Sequence, residues 1–285
     1  MLVGFTNDVY LVNNKYILKI CKNKKNEPNF EKEAYFYNLF KGKLLVPNLL
    51  FYDNSKKNYN RDFMVYYYIN GVNLYSLWHL LSVAERKNIV KQLCDMLKII
   101  NNTSYKEYVK KFKHKEVSWK KEIFSKIKKS IFEIEKRKLL SKDIIEKLTG
   151  FIKENISNLD EQKMALVYWD AHFDNILVSN NKIVGLLDFE RTKLASVDFV
   201  LDIVSRMVSQ PKKYMSKSGE KYAKKKDYAK LLVWYEEFYP ELFMFDNLDK
   251  RLLLYSIGHD LAELLDWPKS ESIKKKLMKS ISYGG

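Results

Sequence analysis

The apolar residues of this 285-residue chain change their period near Asn70-Gly71, and that change limits the folds open to it. Before the break the runs are short and strand-like. Val9 to Val12 is short and β-branched, Tyr16 to Cys21 is a second strand-like run, and Asn13-Asn14 between them suits a hairpin turn. Pro28 to Phe40 interrupts with helical spacing through Phe30, Ala34, Tyr37 and Phe40. Val46 to Tyr52 and Phe63 to Ile69 read as two further strands, and Met1 to Val3 as a short first one. After the break the spacing turns helical. Ser82 caps a helix whose stripe is Ile89, Val90, Leu93, Leu97 and Ile100. Tyr105 to Lys138 reads as one long Lys-rich helical stretch with a solvated face, and Ser141 caps the next helix, to about Leu159. Leu166 to Phe189 departs from this, with apolar strand fragments flanking Asn180-Asn181. Helical signals resume near Val197, and Lys212 to Lys230 reads as a Lys-rich, loop-bearing stretch.

The pattern predicts an α+β chain. A small β-rich N-terminal lobe spans residues 1–72 and a larger, mainly helical C-terminal lobe spans 73–285, with one hairpin inside it. Two lobes imply a cleft, a common place for a ligand. The 46% hydrophobic fraction excludes overall disorder, and two cysteines, Cys21 and Cys94, exclude a disulfide scaffold or a Cys-built zinc site. No signal peptide and no bilayer-length apolar run is read, so the expected setting is a reducing cytoplasm without membrane partners. The net charge of +16 raises a nucleic-acid partner. Only six of the 51 basic residues are Arg, however, and base readout favours Arg forks. The Lys, Asn, Ile, Tyr and Phe bias reads instead as drift in a low-GC genome, and no nucleic-acid partner is expected.

The segment that carries chemistry is Tyr168-Trp169-Asp170-Ala171-His172-Phe173-Asp174-Asn175-Ile176-Leu177-Val178, followed thirteen residues after Asn175 by Asp188-Phe189-Glu190. Asp170 and Asn175 have the D-x-x-x-x-N spacing of a kinase catalytic loop. Phosphoryl transfer needs a carboxylate to orient the attacking hydroxyl and take its proton, and hard oxygen ligands for magnesium. Asp170 fits the first need as base. Asn175 and Asp188 fit the second as metal ligands, brought together by a strand pair turning at Asn180-Asn181. The spacing alone occurs often by chance, as Asp and Asn also cap turns. The order of strand, loop, hairpin and D-F-E is what adds weight.

Those residues resemble the H-G-D-x-x-x-x-N-x-L and I-D-W/F-E motifs of the aminoglycoside phosphotransferase and choline kinase superfamily. Ser196 to Ile203 is similar to its G-D-P-x-x-D-L-A element, and Gly4 to Tyr10 to its short nucleotide loop. The resemblance runs through nearly the whole chain in order and is most specific around 165–205. It implies a protein-kinase-like fold and Mg2+-dependent transfer of the γ-phosphate of ATP or GTP to a hydroxyl of a small molecule. It places Thr6 and Asn7 in the nucleotide loop, Lys19 at the phosphates, Glu33 as its helix partner with Glu31 as rival, and the backbone from Tyr67 to Ile69 at the base. Alternation puts Ile17 and Lys19 on one strand face, which permits an inward lysine. Tyr66, Tyr67 and Tyr68 also read as ordinary core and surface aromatics. Tyr168 stands where the family usually has His, and Trp169 where it has Gly. A G-x-G-x-x-G, an Arg before Asp170 and an A-P-E after Asp188 are all absent, which argues against protein substrates.

The acceptor is read from local charge. Between Trp234 and Trp267 eight acids face only Lys250 and Arg251, with Trp234, Tyr235, Phe238, Tyr239 and Trp267 interleaved. Such a set suits a cationic acceptor, either an aminoglycoside or choline in an aromatic cage. Asp174, Glu237, Asp260 and Glu263 are the candidate substrate residues. Helix-surface acids pairing nearby lysines is the plainer reading. Rival functions are a choline- or ethanolamine-type kinase and a kinase-like nucleotide-binding module of little activity. A monomer or weak dimer is expected. His172 reads as a loop histidine supporting the turn, and Cys21 as a small buried strand residue.

Overall fold

The computed structural model describes residues 7–22, 30–114, 118–213 and 220–282. The N-terminal sheet has the order β1-β2-β4-β3, all antiparallel: β1 (Asn7–Val12), β2 (Tyr16–Cys21), β3 (Leu49–Asp53) and β4 (Phe63–Tyr67). The expected strand at Met1 to Val3 lies outside the described residues. Asn13 and Asn14, both at φ 51° in the left-handed region that Asn tolerates, turn the first hairpin in the three-residue loop 13–15. Helix α1 (Phe30–Phe40) follows β2 and buries Phe30, Glu33, Ala34, Phe36, Tyr37 and Phe40.

After β4 the chain makes the two-residue strand β5 (Val72–Asn73) and enters α2 (Leu74–Trp78), capped by the Asn73 side chain. Helix α3 (Val83–Asn102) begins with a capping box between Ser82 and Glu85, and its stripe from Ile89 to Ile100 is fully buried. The Lys-rich stretch predicted as one helix is two, α4 (Lys106–Lys111) and α5 (Trp119–Lys136). Lys113 at φ 48° follows the end of the first, and the Ser118 hydroxyl caps the start of the second. The solvated-face reading holds for α5, which buries Trp119, Ile123, Ile127 and Ile134 and turns most of its lysines outward. Helix α6 (Lys142–Asn155), capped by Ser141, runs into a 3-10 turn ending at Leu159.

Four short strands carry the middle of the chain: β6 (Met164–Val167), β7 (Ile176–Ser179), β8 (Lys182–Leu186) and β9 (Lys193–Ser196). β6 pairs with β9, and β5, β7 and β8 form a three-stranded sheet. Asn180 and Asn181, again at positive φ, turn the β7–β8 hairpin. Helices α7 (Val200–Ser209), α8 (Lys225–Tyr228), α9 (Leu231–Phe238), α10 (Leu248–Asp266) and α11 (Glu271–Ser282) complete the chain. No helix among the described residues is long and apolar enough to cross a membrane.

The residues group into two compact units. One comprises Met1–Thr103, Val167–Lys193 and Ile203–Pro240, the other Ser104–Leu166, Leu194–Asp202 and Glu241–Gly285. The first holds the N-terminal sheet, α1 and the β7–β8 hairpin. Its helix α3 fastens that hairpin: the Gln92 side chain accepts from the Ile183 N–H at 3.0 Å and donates to the Asn181 carbonyl at 3.3 Å, while Asn181 donates to Glu85. The second is built around α5 and α10, where Gly258 packs closely on Ile127.

Candidate active site

Strand β2 alternates buried and half-buried residues, and Ile17, Lys19 and Cys21 share its buried face. A lysine there needs partners, because an unpaired buried charge is costly. Lys19 has two. Its Nζ lies 2.9 and 3.1 Å from the Glu33 carboxylate oxygens and 3.3 Å from Asp188 Oδ1. Burial works against the ammonium, but Asp188 and Glu33 outweigh it and hold its pKa well above the ordinary lysine value. Glu33 is fully buried on α1, whereas Glu31 is half-buried, so the ion pair falls on Glu33.

Asp188 follows β8 at φ 60°, ψ 62°. Two residues on, Glu190 brings a third carboxylate, and oxygens of Glu33, Asp188 and Glu190 all lie within 4.8 Å of one another. Burial first, then the Asp188 charge, pushes the Glu190 carboxyl up to about 7. One lysine among three clustered carboxylates leaves negative charge uncompensated. Hard oxygen donors in that excess fit Mg2+.

The loop before β7 carries the next groups. A 3-10 turn at Phe173–Asn175 follows Asp170. Asn175 Nδ2 donates to the Asp170 carbonyl at 2.9 Å, which leaves the amide oxygen as the atom suited to a metal. The Leu187 N–H donates to the Asn175 carbonyl at 2.9 Å, so the hairpin returns Asp188 to the neighbourhood of Asn175. The Asp170 carboxylate has His172 Nε2 at 3.5 Å and Arg191 Nε at 3.9 Å. Burial raises its pKa, with His172 and Arg191 opposing. Phe173 is fully buried among Tyr75, Trp78 and Tyr228 and anchors the turn.

The remaining sequence candidates are placed as follows. Thr6 lies outside the described residues, and Asn7 is buried at the start of β1, opposite Cys21. The Tyr67 N–H donates to the Asn48 carbonyl and the Tyr68 N–H to the Lys15 carbonyl. Ile69 packs on Gly185 of the hairpin, where a Cβ would sit 3.0 Å from its Cδ1. Asp174 is half-buried within the Phe173–Asn175 turn, and burial raises its pKa. Glu237 is exposed on α9 and pairs with Lys87 at 2.8 Å. Asp260 and Glu263 belong to the other unit, on α10. Asp260 is buried and holds Lys276 at 2.9 Å, and Glu263 is half-buried. Trp234, Tyr235 and Tyr239 are core residues, with the Tyr239 hydroxyl donating to Asn101. Interleaving with acids did not mark them as surface aromatics.

Sequence reasoning gave no role to Tyr37, Glu190 or Arg191. Tyr37 stands one helical turn after Glu33, and its hydroxyl donates to Glu33 Oε1 at 2.6 Å. Glu190 was visible within D-F-E. Arg191 places its guanidinium 5.8 Å from the Trp169 ring centroid, over the residue that replaces the usual Gly. The Tyr168 ring stacks on Phe189 at 4.4 Å, and its hydroxyl donates to the Leu187 carbonyl.

Residues 2–201 match the model of the family described as phosphotransferase enzyme family. Comparison with the curated proteins finds no match. Among solved structures, ADP-bound aminoglycoside phosphotransferase APH(2'')-Ib aligns over 99% of this chain and 90% of its own, with a TM-score of 0.68 and 19% identity. The gentamicin complex of APH(2'')-IIa aligns over 98% and 88%, with a TM-score of 0.69 and 20% identity. A thermostable mutant of APH(4)-Ia with AMP-PNP and hygromycin B aligns over 100% and 93%, with a TM-score of 0.70 and 12% identity. At these identities the likeness is one of fold, and the fold is protein-kinase-like.

Proposed function

The chain belongs to the phosphotransferase enzyme family, and on that premise we propose that it is a Mg2+-dependent small-molecule kinase. The donor is ATP or GTP, and the acceptor is a hydroxyl of an aminoglycoside-type or related cationic compound. The observation that carries this reading is the buried Lys19 between Glu33 and Asp188, beside a loop that holds Asp170 and Asn175. Lys19 is placed to meet nucleotide phosphates. Asn175, Asp188 and Glu190 would hold Mg2+, which would offset the charge that develops on transfer.

Asp170 acts on the acceptor. Its carboxylate orients the attacking hydroxyl and receives the proton as the new O–P bond forms and the bond to the leaving diphosphate breaks. The hydrogen bond to its own carbonyl from Asn175 fixes the backbone from which it reaches. Arg191, more than half exposed beside it, offers a guanidinium at the mouth of the site. For the base, the Tyr67 and Tyr68 N–H groups are already engaged, so recognition falls to the Tyr67 carbonyl and the Ile69 backbone. Thr6 and Asn7 belong to the nucleotide loop in this reading.

A cationic acceptor is supported by Asp174, which lies in the Phe173–Asn175 turn beside Asp170, whereas Glu237 and Asp260 are paired with lysines. Two proteins of similar fold are seen with such compounds, APH(2'')-IIa with gentamicin and APH(4)-Ia with hygromycin B. An aromatic cage for choline finds less support, because Trp234, Tyr235 and Tyr239 are buried in the core. The test is nucleoside-diphosphate release with Mg-ATP and Mg-GTP across aminoglycosides, choline and simple sugars. Asp170→Asn should bind nucleotide normally and lose acceptor-stimulated turnover by roughly 10²–10⁴-fold, the usual worth of a general base. Normal turnover in that variant would remove Asp170 from the chemistry.

A further inference from the structure

Asp188 adopts left-handed backbone at φ 60°, a conformation that Asp tolerates better than most residues but that is less favourable than the ordinary regions. Two hydroxyls hold it here. The Asp188 N–H donates to Tyr37 Oη at 3.1 Å, and Tyr168 Oη donates to the Leu187 carbonyl. That carbonyl and that N–H are the two polar groups of one peptide unit. The peptide is gripped at both ends by side chains from α1 and from the residue after β6. Tyr37 in turn donates its own proton to Glu33 at 2.6 Å, so the chain of bonds runs from the Lys19 partner to the Asp188 backbone.

The rings reinforce the grip. Phe189, the next residue, stacks on Tyr168 at 4.4 Å and meets Tyr37 edge-on at 5.8 Å, with Phe36 and Phe40 also against it. Turning the peptide would displace Phe189 from this cluster. Phenylalanines would fill the same space at positions 37 and 168. The hydroxyls add only polar bonds, which buried oxygens must make to avoid a desolvation penalty. Burial, followed by the Glu33 charge for Tyr37 and the Asp170 charge for Tyr168, keeps both phenols protonated, so their donor roles do not change with pH.

We propose that Tyr37 and Tyr168 are positioning residues that clamp the Leu187–Asp188 peptide and thereby aim the Asp188 carboxylate for metal binding. This rests on the kinase reading above. The test compares wild type, Tyr37→Phe and Tyr168→Phe in nucleotide affinity with Mg2+ and with EDTA, using ATP and GTP as probes, alongside melting temperature. Tyr235→Phe serves as control, since it removes a buried hydroxyl of α9. Each clamp variant should keep its EDTA affinity within about twofold and lose about fivefold of the gain that Mg2+ confers, the scale of one hydrogen bond. The control should keep the full gain. Wild-type Mg2+ dependence in both clamp variants would overturn the clamp, as would equal losses with Mg2+ and EDTA. A wild type whose nucleotide affinity ignores Mg2+ would overturn the kinase reading itself, and the clamp with it.

Discussion

Each unit of the molecule buries a charged cluster around a basic residue of its interior, Lys19 in the first and Arg251 in the second, and the two are balanced differently. In the second unit Arg251 of α10 is fully buried against Asp198. Its five N–H groups are all used: two on the Asp198 carboxylate, one on the Ser196 hydroxyl, and two on the Asn158 and Glu161 carbonyls. Tyr255 donates to the same carboxylate, and Trp119 donates to Tyr255. One cation meets one anion with every donor satisfied. In the first unit Lys19 pairs with two carboxylates, Glu33 and Asp188, and a third, Glu190, lies beside them and is raised to about 7. A saturated, neutral cluster is a fastening. A cluster left with excess negative charge is, in the proposed reading, the place where a cation would bind, and that cation would offset the repulsion.

Substitution should separate the two. Asp188→Asn, in the over-acidic cluster, should abolish most Mg2+-dependent nucleotide affinity and reduce turnover by orders of magnitude. It should change the stability of the metal-free protein little, because the lost attraction to Lys19 is offset by relief from Glu33 and Glu190; a large fall in metal-free melting temperature would contradict this. Arg251→Met should do the opposite. It strands Asp198 in the interior, at a cost of about 3–5 kcal/mol, the range for breaking a buried pair. Urea unfolding would read that loss. A change under about 1 kcal/mol would mean that the Arg251 network is not the fastening its geometry implies.

The difference should also appear in pH. Glu190 holds its proton in the folded protein up to about pH 7, while an ordinary glutamate releases it near 4.5. Between those values the folded state binds more protons than the unfolded chain, so stability falls as pH rises through the window. Mg2+ would compensate the charge that appears there. The rise in melting temperature on adding Mg2+ should therefore be small at pH 5 and larger at pH 8. An equal rise at both, or a pH-dependent rise unchanged in Glu190→Gln, would detach Glu190 from the metal.

How much of this was legible in the sequence depends on how far apart the partners lie along the chain. Asp170, Asn175 and Asp188 stand in one short segment whose spacing and Asn180-Asn181 turn announce a hairpin. The buried face of β2 followed from simple alternation. The choice of Glu33 over Glu31 needed the orientation of α1 against β2, which spacing alone does not fix. The Tyr37 bond to Asp188 spans 151 residues and ends on a backbone N–H, a group with no sequence identity. Arg251, one basic residue among 51, was counted only as a local charge, because its anionic partner Asp198 lies 53 residues away. The break before α5 was legible in principle, since Ser118 precedes Trp119 as a cap, but the Lys-rich run on both sides masks it.

The smallest effect expected is at Glu237, and it bears on the acceptor. Its carboxylate and the Lys87 ammonium are 2.8 Å apart, but both side chains are more than two-fifths exposed. Such a pair contributes about 0.5 kcal/mol or less, because water screens it and two long side chains lose freedom to make it. Glu237→Gln should thus leave stability almost unchanged. If Glu237 also meets a cationic acceptor, the same variant should raise KM for that acceptor several-fold while kcat holds, since it removes binding common to ground and transition states. An unaltered KM would return Glu237 to the plain role of partner to Lys87. Acceptor recognition would then rest on groups nearer the catalytic turn, Asp174 first.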